Sequence, residues 1–182
     1  MRGLRFETAL IRAVQRAGRA DCRRRAAAPS RLHVQDELLA ARARLGWWTL
    51  EWWWDQPNTP HVKDWVASYQ KAYNDGSYPS ARTWFGYAGL HALALGVGKA
   101  KSLDPDKVAH ALEGLELPPE IKLQPNKVYF RPRDHQLMSS EFPGEVLQNG
   151  TYPNLFKVAD IVAGDKIALP VDQTGCKLDY SA

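Results

Sequence analysis

The stretch SYPSARTWFGYAGLHALALGVGKAKSLDPDKVAHALEGLEL, residues 77–117, decides the fold. Trp84, Tyr87, Ala88, Leu90, Leu93, Ala94 and Leu95 recur so densely that a helix from about Ser80 to Lys101 is apolar on nearly every side. Such a helix is expected to be buried on most of them. Gly86, Ala88, Gly89, Ala92 and Gly96 leave room for close backbone approach. A second helix opens at Asp104-Pro105-Asp106: a capping acid, a proline suited to the first helical position, and an acid at the positive end of the dipole. Val108, Ala111, Leu112 and Leu115 face inward, and Gly114 marks its end.

Working upstream, residues 46–65 read GWWTLEWWWDQPNTPHVKDW and hold six of the seven tryptophans. WWTLEWWW is rich in β-formers, which predicts a short strand running into a loop. On a strand carried through Trp54, Trp48, Trp52 and Trp54 share a face with Leu50, and Trp47 and Trp53 share the other. Core, ligand cleft and partner surface all remain open for so much aromatic surface. Thr59 as cap, Pro60 as first residue and Gly76 beyond the last turn predict a helix over 59–74, with Val62, Trp65, Val66 and Tyr69 on its apolar face. Downstream of LPPEIKLQPN the period changes. KVYF, QLMSSEF, GEVLQNG, LFKVADIVAG and KIALPV read as short strands separated by Pro, Gly and Asn. The order is three helices, then short strands.

Charge divides the chain. Residues 1–45 carry 11 Arg, no Lys and 4 acids, for a net +7, whereas residues 46–182 carry 13 Lys and Arg against 16 acids, for a net −3. The pI of about 9.1 therefore belongs to the first quarter. The remainder has no footprint for nucleic acid. Residues 1–45 admit three readings: weak helices on a basic tail, an RNA or membrane-surface arm, or a segment foreign to the rest. They contain no apolar h-region of a secretory signal, and nowhere does an apolar run approach the ~20 residues of a membrane helix. Cys22 and Cys176 show no metal or redox spacing, and two free thiols are expected. The five histidines form no metal-ligand or zinc-protease pattern. G-x-S-x-G, P-loop and dinucleotide glycine patterns are also missing. No cofactor, metal or catalytic role is expected.

Residues 77–117 resemble the C-terminal part of the periplasmic branched-chain amino acid-binding (leucine-binding) family, the substrate-binding proteins of ABC importers with the type I periplasmic-binding fold. Further pieces follow in the family's order: VKDWVASYQKAYNDGSYPSA, VYFRPRDHQLMSSEFPGEV and FKVADIVAGDKIALPVDQTGCKLDY. The resemblance covers residues 46–182, and residues 1–45 show no counterpart. It implies a partial α/β fold lacking the N-terminal parallel βαβ units, with ligand held between two lobes that close on it and dock on a membrane permease. It also implies a periplasmic location and no catalysis. The ligand would be an amino acid or a related small amide or carboxylate. By position Arg82 would line the cleft, as a ligand-carboxylate contact or a hinge salt bridge. Trp84 falls in the matching helix, as core or cleft. Trp53 and Trp54 fall in a hinge segment at the cleft mouth. Without the missing lobe, the apolar helix around Leu90 loses a partner, and the chain alone is expected to bind no amino acid with micromolar affinity. A receptor-type ligand-sensing module of the same fold, or a basic-armed interaction protein, is the alternative.

Overall fold

The computed structural model describes residues 47–176 and 178. These fall in two units, 47–168 and 169–178. In the larger unit a short strand β1 (Trp47–Leu50) precedes three helices, α1 (Val62–Tyr73), α2 (Ala81–Ala100) and α3 (Pro105–Leu112). A one-turn helix α4 (Pro119–Lys122) follows, and then strands β2 (Tyr129–Phe130), β3 (Leu137–Met138), β4 (Phe142–Thr151) and β5 (Asn154–Val158). The predicted order of helices before short strands is the observed one.

Two of the three helix starts follow their punctuation. Ser80 caps α2, and its hydroxyl and that of Thr83 exchange hydrogen bonds with each other's backbone N–H. Asp104 caps α3 through Lys107 N at 3.0 Å, with Pro105 first. The α1 start differs. Asn58 and His61 both turn into the left-handed region, at φ 51 and 65, and the helix begins only at Val62. Thr59 leaves the helix uncapped, because its Oγ1 donates to Pro57 O at 3.3 Å. At the other end Asn74, at φ 49, closes the helix two residues before Gly76.

One core is built around α2. Trp84, Ala88, Ala92 and Gly96, spaced by four, form a single buried ridge. They pack with Trp52, Val62, Val66, Leu117, Leu123 and Val128. Gly96 lets α3 come close: a Cβ there would stand 2.9 Å from Leu112 Cδ2, and that leucine side chain would have to shift. The expected burial of α2 on most sides is not what forms. Leu90 is 56% exposed and Leu93 45%. Among the described residues α3 and α4 lie alongside α2, and α1 meets it through Val62, Val66 and the Trp65–Tyr87 ring contact at 5.2 Å, so only part of its circumference is covered.

The other core lies under a three-stranded antiparallel sheet of order β1-β4-β5. Leu50, Trp53, Phe142, Val146 and Phe156 fill it. The β1 ladder stops at Leu50, opposite Phe142, and does not carry through to Trp54. The chain bends at Glu51, whose carbonyl accepts from Gln124 Nε2 at 3.1 Å. Strand alternation therefore ends, and the tryptophans are shared out differently: Trp52 goes to the helical core and Trp53 to the sheet core. Gln124 is fully buried and also accepts from Ser140 N at 2.8 Å, which ties the bend to the segment entering β4.

KIALPV does not form a strand. Gly164–Lys166 is a 3-10 turn, and the Ile167 and Ala168 amides donate back to Gly164 O at 3.1 and 2.9 Å. In the smaller unit Pro170 starts a one-turn helix α5, Val171–Thr174. Cys176 is disulfide-bonded, which corrects the expectation of free thiols. Sequence spacing says nothing about proximity in space, which is what a disulfide requires. Among the described residues no helix is long and apolar enough to cross a membrane.

Glu141 supplies a pH test of this fold. Burial pushes its carboxyl above the usual range, the Glu51 charge adds to this, and a hydrogen bond from Thr49 Oγ1 at 2.8 Å opposes it. A raised carboxyl binds its proton more tightly folded than unfolded. Stability therefore falls as pH rises from the unfolded value, near 4.5, through the folded one, and the loss is complete above that. Glu141→Gln keeps an acceptor for Thr49 and removes the charge. The variant is expected to unfold at higher urea than the parent at neutral pH, with the difference vanishing below pH ~4. Urea titrations at both pH values measure it.

Candidate ligand-facing aromatic wall

The bend at Glu51 and the turn before α2 bring four rings into a row. Trp53 lies 5.9 Å from Trp54, Trp54 lies 4.4 Å from Tyr78, and Tyr78 lies 5.9 Å from Tyr152, edge-on. Tyr152 fixes the row from the far strand pair: its hydroxyl accepts the Tyr78 backbone N–H at 2.6 Å. Trp54 touches both cores, so the row runs along the junction between the helices and the sheet.

Indole N–H groups separate the tryptophans by role. Trp52 Nε1 donates to Leu123 O and Trp84 Nε1 to Lys122 O, each at 2.9 Å. Both rings are closed structural units. Trp54 Nε1 is buried and has no hydrogen-bond partner. Buried donors are nearly always paired, so such a group marks strain, bound solvent or a ligand position. Gln56 Oε1 and Ser77 Oγ are the other side-chain atoms in this condition among the described residues. Ser77 Oγ sits near the Asp75 carboxylate without reaching hydrogen-bond geometry, and it is the Ser77 N–H that bonds Asp75, at 2.8 Å. All three atoms belong to the two segments that the Trp54–Tyr78 contact joins.

The four residues singled out from the sequence separate accordingly. Trp53 is buried against Phe156 at 5.4 Å and serves the sheet core. Trp84 is wholly inaccessible. Arg82 is exposed on the first turn of α2, four residues beyond Tyr78. Trp54 is half-buried and stands against Tyr78. Only Trp53 and Trp54 are brought into ring contact with one another. Tyr78 and Tyr152 were missed. Each precedes a proline, in SYPS and TYPN, and that repeated Tyr-Pro pair was the available signal.

A polar cluster lies elsewhere, at the β2–β3 hairpin. Arg131 Nε donates to Asp134 Oδ1 at 2.9 Å. Burial disfavours the Asp134 charge, but the Arg131 bond and the Gln136 N–H hold its carboxyl below the usual range. His135 Nε2 meets Glu113 Oε1 at 2.8 Å and so fastens the hairpin to the end of α3. Among the described residues no group of three or more His, Cys, Asp or Glu is placed to hold a metal ion.

Comparison with solved structures finds the same fold in substrate-binding proteins. An ABC-type branched-chain amino acid transporter protein from Rhodopseudomonas palustris CGA009 is 25% identical, with a TM-score of 0.57 over 72% of this chain and 34% of its own. An amino acid ABC transporter substrate-binding protein from Pseudomonas fluorescens Pf-5 is 23% identical, with a TM-score of 0.61 over 79% and 37%. A solute-binding protein of an ABC transporter from R. palustris BisB5, in complex with 3,4-dihydroxybenzoic acid, is 19% identical, with a TM-score of 0.54 over 67% and 32%. The chain thus spans about a third of the length of these structures. Comparison with curated proteins finds no match. The sequence profile described as "Periplasmic binding protein" matches residues 7–151. That range begins well upstream of Gly46, inside the Arg-rich segment read above as having no family counterpart. Because the matched residues make up well over half of the chain, it belongs to the periplasmic binding protein family.

Proposed function

We propose that this chain is part of the substrate-binding component of an ABC importer for small carboxylates, amino acids among them. The observation that carries this is the aromatic row with the buried, unpaired indole N–H of Trp54, in a chain of this family. An unpaired buried donor beside aromatic faces suits a ligand with an acceptor oxygen. Arg82 would add a cation for the ligand carboxylate, where a guanidinium can form paired hydrogen bonds. Among the similar structures one is a branched-chain amino acid transporter protein and another holds 3,4-dihydroxybenzoic acid, and both amino acids and that acid are small carboxylates. The permease partner and the periplasmic location follow from the same reading. A disulfide at Cys176 fits an oxidising compartment.

Saturation-transfer NMR on the 182-residue chain tests the reading, with leucine, benzoate and 4-hydroxybenzoate at millimolar concentration. At least one is expected to give a saturable signal. Calorimetry is expected to show no micromolar isotherm, because the chain spans only a third of the related structures. Absence of transfer from every one of these carboxylates would overturn the proposal.

A further inference from the structure

We infer that the uncovered face of α2 is a self-association surface, on which a second copy of this chain docks by antiparallel pairing of the two α2 helices about a two-fold axis. This goes beyond the importer reading and does not depend on it.

Exposure supplies the first argument. Trp84, Ala88, Ala92 and Gly96 turn one side of α2 into the core. Gly86, Gly89, Leu90 and Leu93 stand at i, i+3, i+4 and i+7, which is one face of a helix, and all four are exposed. Ring contacts carry the patch on to α1. Tyr87, three residues before Leu90, meets Trp65 at 5.2 Å, Trp65 meets Tyr69 at 6.3 Å, and Tyr69 meets Tyr73 at 4.5 Å. Tyr73 at the end of this series is 62% exposed. Contiguous apolar patches of this kind mark interaction surfaces. α2 carries no acid, and its Arg82 and Lys99 lie outside residues 86–93, so the centre of the face is free of charge.

The spacing along α2 names the occupant. A two-fold axis passing between Gly89 and Leu90 sets Leu90 opposite the partner's Gly89 and Leu93 opposite the partner's Gly86. A Cβ built at Gly86 or Gly89 meets nothing within 4 Å, so each glycine leaves an open seat for a leucine. Projections and seats share one surface, as an isologous interface requires. Arg82 falls opposite the partner's Val97, which avoids a clash of like charges there. Area sets the strength. α2 has 20 residues and α1 has 12, so the two helices present faces about 30 and 18 Å long, each about 10 Å wide. A pair of copies then buries about 1,000 Å² in total, the lower end for a specific interface, which fits a reversible dimer with a micromolar dissociation constant.

Sedimentation velocity of the 182-residue chain, from low to several hundred micromolar, tests this. The weight-average mass is expected to rise from one chain toward two and to stop there. Leu93→Glu, at an exposed side chain, should abolish the rise while the far-ultraviolet circular dichroism stays that of the parent. Gly86→Lys should abolish it too, and should raise thermal stability because lysine favours a helix over glycine. An equimolar mixture of these two variants should recover the dimer, since the new acid of one then faces the new base of the other. Gly89→Leu fills a seat and should weaken the dimer at least tenfold, whereas unspecific apolar association would be strengthened by it. A chain that stays monomeric throughout, association that runs on past two copies, or a rise in mass unchanged by Leu93→Glu would each overturn the inference. So would a monomeric chain that co-floats with phosphatidylglycerol vesicles, which would assign the face to lipid.

Discussion

Trp84→Ala is expected to cost about 3–5 kcal/mol of folding stability, the range for deleting a large aromatic from a packed core. The chain should then be largely unfolded under conditions where the parent is folded, because domains of this size have only 5–15 kcal/mol to lose. Trp84 has no accessible surface and anchors the buried ridge of α2. It also holds the Lys122 carbonyl through its indole N–H at 2.9 Å. Trp84→Phe separates the two contributions. It keeps most of the apolar contact and leaves that carbonyl short of a donor, for a smaller loss of about 1 kcal/mol. Urea unfolding followed by far-ultraviolet circular dichroism measures both. A loss of less than 1 kcal/mol for the alanine variant would show that α2 does not depend on this anchor.

The second large effect comes from a single methyl group. Gly144→Ala is expected to disrupt the pairing of β4 with β5 and to cost about 3 kcal/mol or more, at or beyond the upper end of ordinary overpacking. A Cβ at Gly144 would stand 2.2 Å from Lys157 O and 2.6 Å from Phe156 Cζ. The carbonyl belongs to the backbone of β5 and cannot turn aside as a side chain tip could. Gly86→Ala is the matched control, since a Cβ there meets nothing within 4 Å in the middle of α2. It should stabilise the chain by about 0.5–1 kcal/mol through helix propensity. Opposite signs in thermal unfolding are the expected result. Similar behaviour of the two variants would mean that β4 and β5 separate easily.

Local chemistry was legible in the sequence, whereas partner-dependent chemistry was not. Ser80 and Asp104-Pro105 punctuated their helices because a cap acts within four residues of itself. The left-handed turns at Asn58 and His61 were only faintly legible, because Asn and His are enriched at positive φ but adopt it in a small minority of cases. Alternation along the tryptophan run assumed that the strand continued. A buried glutamine 73 residues downstream ends it at Glu51. The apolar circumference of α2 was read correctly as composition, but burial depends on what stands opposite, and among the described residues α1, α3 and α4 cover only part of it. For the candidate site, the tryptophan density pointed to the right neighbourhood. Trp53 and Trp84 could be set apart from Trp54 only once it was known where each ring lies and which carbonyl, if any, faces its N–H.

The uncovered side of α2 also shapes how the chain responds to temperature. Leu90, Leu93 and Phe85 are hydrated before unfolding begins, so unfolding exposes less new apolar surface to water. The heat-capacity increment is reduced accordingly, and the stability curve becomes shallower around its maximum. Whatever margin the fold has is thus spread over a broad span of temperatures instead of being concentrated near its peak.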